Sequence, residues 1–349
     1  MNVYDSEKID HLLNENLNSS NTDKIETADI IILNTCSVTE NADKEAKKLI
    51  RRVKKNNPFS KVAVIGCFAQ LQPKSISKID GVDIVLGANE KFNLLKYLDG
   101  INIAAPKTIK YSNIDNVKKF KSSFSLNERT RSYLKVQDGC DYTCSFCTIP
   151  LARGRSRSGT ISTTIKAAEE IANSGKKEIV LTGVNIGDFG KGSDDSFINL
   201  ITELDKVEGI DRIRISSIEP NLLTNEIIEF CDSSIKFMPH YHIPLQSGSN
   251  KILRAMRRRY DKEAYKNRIK KIKETNPDTC IGVDVIVGFP GESDVDFLET
   301  YNFLNELDIS YLHVFSYSKR SGTDAIKINE KVQKSIKSKR SKMLHILSE

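Results

Sequence analysis

The sequence predicts an α/β protein, with an N-terminal three-layer parallel-sheet domain followed by a partial (β/α)6 barrel. Two patterns predict it. Short apolar runs alternate with amphipathic segments from residue 28 and again from about residue 131, and the stretch between, 101–130, has no sustained period and is rich in Lys, Ser and Asn. With 39% hydrophobic and 28% charged residues among 349, the chain has apolar material for a packed core and does not read as disordered. The division that follows is 1–100, a linker at 101–130, and 131–349.

In the first part "ADIIILNTC" reads as a buried strand ending at Cys36. "NADKEAKKLIRRVKKN" follows as a helix with Ala46, Leu49, Ile50 and Val53 on one face. "KVAVIGC" is a second strand, ending at Cys67, and "VDIVLGA" a third. Strands separated by helices pair in parallel through right-handed crossovers. Cys36 and Cys67 then sit at the carboxyl ends of neighbouring strands, the edge where open α/β sheets place ligands.

Six strand candidates fill the second part: "SYLKVQ", "KEIVLTGV", "DRIRISSI", "HYHIPL", "CIGVDVIVG" and "SYLHVFSYS". Between them, "TTIKAAEEIANSG" carries Ile165, Ala168 and Ala172 on one helical face and ends at a capping Gly175, and "DVDFLETYNFLNEL" repeats Phe297, Tyr301 and Leu304. The site of such a barrel lies at the C-terminal mouth of its strands. "CDYTCSFC", just after the first strand, is therefore at the mouth.

The net charge of +7 is concentrated in "KKLIRRVKK", "ARGRSRS" and "RAMRRR", patches that either attract phosphate backbones or are simply solvated faces. The start is polar, and no apolar run approaches the roughly 18 residues of a membrane span. Seven irregularly spaced cysteines with no export signal argue for a reducing cytoplasm and against a disulfide framework.

Cys140, Cys144 and Cys147 occupy one eight-residue loop, a spacing that lets three thiolates face one centre. A structural zinc needs four protein ligands, and the nearest His in sequence is His240. A redox dithiol needs only a pair. An iron–sulfur cluster with three thiolates would leave one iron open to an outside ligand.

"CDYTCSFC" resembles the CxxxCxxC loop of radical S-adenosylmethionine (SAM) enzymes, including Phe146 before the last cysteine. With "NTCSVTENADKEAKKLIRR", "VAVIGCFAQ", "LTGVNIGDFG", "RIRISSIEP", "HIPLQSGSNKILRAMRRRY", "DVIVGFPGE" and "LHVFSYSKRSGT", nearly the whole chain is similar to the radical SAM methylthiotransferases. "ARGRSRS", "TGVNIG" and "SSIEP" look most like the MtaB type, which acts on C2 of N6-threonylcarbamoyladenosine at position 37 of tRNA. The sister MiaB type, acting on isopentenyladenosine, and a ribosomal-protein aspartate are the alternative targets. A zinc-stabilised RNA-binding protein is the non-enzyme alternative.

The resemblance implies two [4Fe-4S] clusters, SAM as methyl donor and radical source, the tRNA anticodon loop as substrate, an electron donor such as flavodoxin or ferredoxin, and a cytoplasmic location. It implies that Cys140, Cys144 and Cys147 hold the cluster that binds SAM, and that Cys36 and Cys67 are two of three ligands of an auxiliary cluster. The third is expected in a Gly-Cys pair ahead of the equivalent of "MNVYDSE", so the N-terminal domain reads as truncated. The end likewise stops where family members continue into an RNA-binding extension.

Further residues are expected at the mouth. Gly183 matches a position of close backbone approach to SAM, or is a turn glycine. Glu219 and Gln246 are polar groups at strand ends, for the cofactor or for structural hydrogen bonds. Asp284 is a carboxylate in an apolar strand and needs a partner if buried. Gly288, Pro290 and Gly291 form a loop suited to adenine. Arg153, Arg155 and Arg157 follow the cysteine loop and are expected at RNA phosphates, Arg153 first among them. Cys231 and Cys280 read as core cysteines.

Overall fold

The computed structural model describes residues 2–17, 20–22, 24–98, 107–126 and 130–349. The chain divides into two compact units, Met1–Lys119 with Ser123–Asn127 and Thr148–Arg155, and Phe120–Ser122 with Glu128–Cys147 and Ser156–Glu349.

The first unit is built on a parallel sheet in the order β1 (Ile30–Thr35), β2 (Lys61–Gly66), β3 (Ile84–Leu86) and β4 (Thr108–Lys110). Alternation along β2 sends side chains to both faces. Val62 and Val64 pack with Ile50, Val53 and Phe68 on one side, and Ala63 and Ile65 pack with Ile9, Leu94 and Leu98 on the other. That is the expected three-layer arrangement. The helix Glu40–Asn56 buries Ile50 and Val53, while Leu49, expected on the same face, is 41% exposed. Burial of an Ile or Val stabilises by about 1.5–3 kcal/mol, so these two residues orient the helix, and its Lys and Arg follow onto the outer side.

Two features of this unit depart from the sequence reading. The stretch read as a linker contributes β4, which pairs with β3, and a two-residue strand, β5 (Ser123–Phe124), whereas 101–106 and 127–129 lie outside the described residues. A three-residue strand with two exposed positions is too short to show a period. The polar start is a helix, Asn2–Leu17, with Asp5 fully buried. Its carboxylate meets Lys91 Nζ at 2.5 Å and accepts from Ser123 Oγ at 2.9 Å.

In the second unit β6 (Ser132–Lys135) opens the set. β7 (Gln137–Asp138) and β8 (Arg157–Ser158) pair antiparallel beyond it, and β9 (Glu178–Thr182), β10 (Arg212–Ile215), β11 (His240–His242), β12 (Cys280–Val287) and β13 (Tyr311–Ser316) follow. β6, β9 and β10 pair in parallel, as do β11, β12 and β13, and parallel bridges Ile213 to Phe237 and Ser217 to His242 connect the two groups. All six expected strands form, in chain order around a partial barrel. On β12, Ile281, Val283, Val285 and Val287 are fully buried while Asp284 and Ile286 on the opposite face are not. Helix Ile161–Asn173 buries Thr164, Ala167, Ala168 and Ile171, a face rotated from the one expected. Gly175 caps it at φ +84°.

Helix Asp294–Glu306 begins with a reciprocal cap between Ser293 and Asp296. Burial pushes the Asp296 carboxyl up, but Lys251 at 2.8 Å with the hydroxyls of Ser293 and Ser249 outweighs it and holds the group at about 2. A carboxyl depressed by folding contributes stability above its unfolded value, about 3.9, that is lost as pH falls through its folded value. Thermal midpoints of wild type and Asp296→Asn should differ most at pH 6 and converge as pH falls from about 4 to about 2. A gap independent of pH would contradict this.

Candidate functional site

Five of the six barrel strands lead to a residue singled out from the sequence. β6 and β7 lead to Gly139 and Cys140, β9 to Gly183, β10 to Glu219, β11 to Gln246 and β12 to Gly288. Parallel pairing puts these ends on one rim, with the cysteine loop on it.

Within the loop, Tyr142 N–H donates to Cys140 Sγ at 3.3 Å and Cys147 N–H to Cys144 O at 3.1 Å. Ser145 fixes its centre, donating through Oγ to Ala255 O at 2.7 Å and through N–H to Met256 O at 3.0 Å. Phe146 packs edge-on to Phe289, at 6.5 Å between ring centres, in a cluster with Ile252, Met256 and Tyr317. It anchors the loop to the residues beyond β12.

Burial pushes the Cys140 thiol up to about 12, and the charges of Cys147, Cys144 and Glu219 add to the rise. Burial raises Cys144 too, against the Arg258 guanidinium, which lowers it. The charges of Cys144 and Cys147 thus reach the Cys140 sulfur. A tetrahedral metal with bonds of about 2.3 Å needs sulfurs about 3.8 Å apart. Among the described residues, the group of three possible metal-ligating side chains whose ligand atoms all lie within 4.8 Å is His242, Asp284 and His313, and the cysteines do not meet that limit. Three thiols on one loop, spaced too widely for a closed mononuclear site, suit a larger inorganic group.

Around the loop the expected residues divide. Gly183 is a close approach inside the protein: a Cβ there would lie 2.7 Å from Ile186 and 3.0 Å from Gln137 Oε1. Gln137, fully buried, accepts from Val184 and Asn185 N–H at 2.9 and 2.8 Å and donates to Gly139 O at 2.7 Å, fastening the end of β9 to the start of the loop. Gln246 has φ +72°, rare for a residue with a side chain, at a bulge where Leu245 and Gln246 both donate to Asp284 O. Gly288 has φ +72°, its N–H donates to Glu292 at 2.7 Å, and Glu292 is ion-paired to Arg340 at 2.5 Å. Gly291 has φ +85° with open space beside it except for Glu330.

Asp284 finds its partners within the barrel. Its Oδ1 lies 2.8 Å from His242 Nε2 and 3.2 Å from His313 Nδ1, on the strands to either side. Glu219 pairs with Arg258. Both carboxylates are thus engaged by protein cations or imidazoles.

The arginines are reordered. Arg153, expected first at phosphate, is buried at 6% exposure, and Arg157 is ion-paired at 3.1 Å to Asp138, its cross-strand partner on β7. Arg155 is exposed. Sequence could not separate them, because pairing depends on which strand lies opposite. In "RAMRRR", Arg257 pairs with Asp324, Arg259 stacks 4.0 Å over the Tyr142 ring, and Arg258 turns inward.

In the first unit, Thr35 and Gly66 are register partners, so Cys36 and Cys67 follow adjacent strand ends at one level. Cys67 is buried and Cys36 exposed. Gly66 has φ +95°, and a Cβ there would lie 2.6 Å from Thr35 O and Asn34 Oδ1. Ser37 donates to the buried Asp43 at 2.6 Å, holding the turn after Cys36. Cys231 is buried, its thiol pushed up to about 12 by burial, as a core cysteine should be.

Residues 134–304 match the family described as Radical SAM superfamily, and residues 1–87 match Uncharacterized protein family UPF0004. The chain is 42% identical to the threonylcarbamoyladenosine tRNA methylthiotransferase MtaB of Bacillus subtilis, over 100% of this chain and 78% of that one. It is 35% identical to the tRNA-2-methylthio-N(6)-dimethylallyladenosine synthase of Clostridium tetani, over 99% and 78%. Among solved structures, the radical SAM methyltransferase TsrM from Kitasatospora setae shares the fold, with TM-score 0.59, 14% identity, and coverage of 89% of this chain and 65% of that one.

Proposed function

Because this chain belongs to the radical SAM methylthiotransferase family, we propose that it methylthiolates C2 of N6-threonylcarbamoyladenosine at position 37 of tRNA. The observation that carries the reading is the loop at the barrel rim that brings Cys140, Cys144 and Cys147 together within eight residues. Radical SAM enzymes use a [4Fe-4S] cluster and SAM, which together supply the one-electron chemistry that an unactivated aromatic C–H bond requires.

Cys140, Cys144 and Cys147 would hold that cluster. The raised affinity of Cys140 and Cys144 for protons means that its assembly releases protons, as for any buried thiolate site. Cys36 and Cys67 would serve a second cluster, the sulfur source, supported by their placement at adjacent strand ends. Gly288 and Gly291, in a loop fixed by Glu292 and Arg340, would shape the adenine end of the SAM site, with Gly183 and Gln246 on the same rim. Arg155 is the exposed arginine that would meet RNA phosphate. Among the described residues no helix is long and apolar enough to cross a membrane, in keeping with a cytoplasmic tRNA substrate and a soluble electron donor such as flavodoxin or ferredoxin.

Mass spectrometry of tRNA nucleosides from a strain lacking the gene tests the substrate. The 2-methylthio derivative of N6-threonylcarbamoyladenosine should disappear and return on complementation. Loss of the methylthiolated isopentenyladenosine instead would assign the chain to the other target.

A further inference from the structure

We propose that Arg258 sets how readily the cluster held by Cys140, Cys144 and Cys147 accepts an electron, by directing a buried N–H···S hydrogen bond at Cys144. The proposal rests on the reading just given of those cysteines as cluster ligands. Each nitrogen of the guanidinium has its own partner. Nη1 donates to Cys144 Sγ at 3.3 Å, Nη2 to Glu219, and Nε to the Tyr260 hydroxyl at 3.0 Å. Tyr260 in turn donates to Pro244 O at 2.6 Å, just before Gln246. The side chain is 3% exposed.

Its aim is set by the backbone. Helix Asn250–Ala255 ends with Arg257 at φ +60°, its N–H on Arg254 O, and Arg258 N–H on Leu253 O at 2.9 Å, the paired closing bonds of a left-handed helix end. Gly or Asn normally fills the left-handed position. Arg there is strained, and the strain directs the next residue, Arg258, toward the cysteine loop.

A reduced cluster carries one more negative charge than an oxidised one. A buried cation donating to a ligand sulfur stabilises the reduced form and raises the potential, and a nearby carboxylate does the reverse. Arg258 donates directly to Cys144, whereas Glu219 acts on that sulfur through its charge alone, so the two groups bias it in opposite directions. A lysine keeps the charge but cannot engage three partners in one plane.

EPR-monitored redox titration of the anaerobically reconstituted enzyme, with iron and sulfide measured alongside, tests this. Arg258→Met should lower the reduced fraction at a fixed potential at least tenfold, 59 mV for a one-electron couple. Glu219→Gln should shift it in the opposite direction, and Arg258→Lys should fall between wild type and Arg258→Met. If Arg258→Met fails to load iron, the Glu219→Gln and Arg258→Lys potentials decide. Variants with normal iron and sulfide and reduced fractions within twofold of wild type at that potential, even with reduced activity, would overturn the proposal and leave the cluster reading intact. Wild type that takes up neither iron nor sulfide would overturn both.

Discussion

Cys144→Ala abolishes tRNA methylthiolation, lowering the methylthio nucleoside by at least about 10³-fold, and Cys140→Ala or Cys147→Ala does the same. Groups that act as a unit lose their function when any one is removed, so the triple variant should be no worse than a single one. The loop itself should survive. Ser145 holds it to Ala255 and Met256, and Phe146 anchors it beside Phe289, and the variants keep both anchors. Cys231→Ala is the control. That thiol is buried within the second unit away from the loop's contacts, and its loss should cost stability but not modification. Nucleoside analysis of complemented strains reads both results, and methylthiolation surviving in Cys144→Ala would remove that residue from the chemistry.

The second large effect is on folding. Asp5→Ala should destabilise the chain by about 3–5 kcal/mol, because it leaves Lys91 buried without its counter-charge. The Ser123 hydroxyl loses its acceptor as well. Lys91→Met alone should also be costly, since it removes the counter-charge of the buried carboxylate. The double variant Asp5→Leu with Lys91→Met should recover most of the loss, since replacing both members of a buried pair with apolar groups is often neutral. Urea unfolding of the four proteins checks the cycle. Additive losses would show that the two residues act independently.

Asp5 also marks where the sequence was silent. "MNVYDSE" looks polar, and nothing in it says that one carboxylate will be fully buried, because its partner lies 86 residues away. The six barrel strands were legible because each is an apolar run bounded by polar turns, and the cysteine loop because its spacing is local. Cys36 and Cys67 were legible as neighbours because two strand ends in parallel register define one edge. What was not legible depends on long-range pairing. Asp284 was seen as a carboxylate needing a partner, but His242 and His313 become its partners only when β11, β12 and β13 lie side by side. Arg258 was one arginine among several in a charged run, and the left-handed turn at Arg257 is what turns it inward. Likewise Arg157 looked like Arg155 until β8 paired with β7 and set Asp138 opposite it. Gln137 carried the one usable signal, a polar residue at a strand end two positions before Gly139, which is where a loop must be fastened.

What the cysteine loop binds decides the chemistry of the barrel. Iron, acid-labile sulfide and zinc should be quantified in the anaerobically reconstituted protein and in the variant lacking Cys140, Cys144 and Cys147. The prediction is brown protein in which about four iron and four sulfide per chain depend on those three residues. One zinc per chain, dependent on the same cysteines and accompanied by neither sulfide nor visible absorbance, would contradict it.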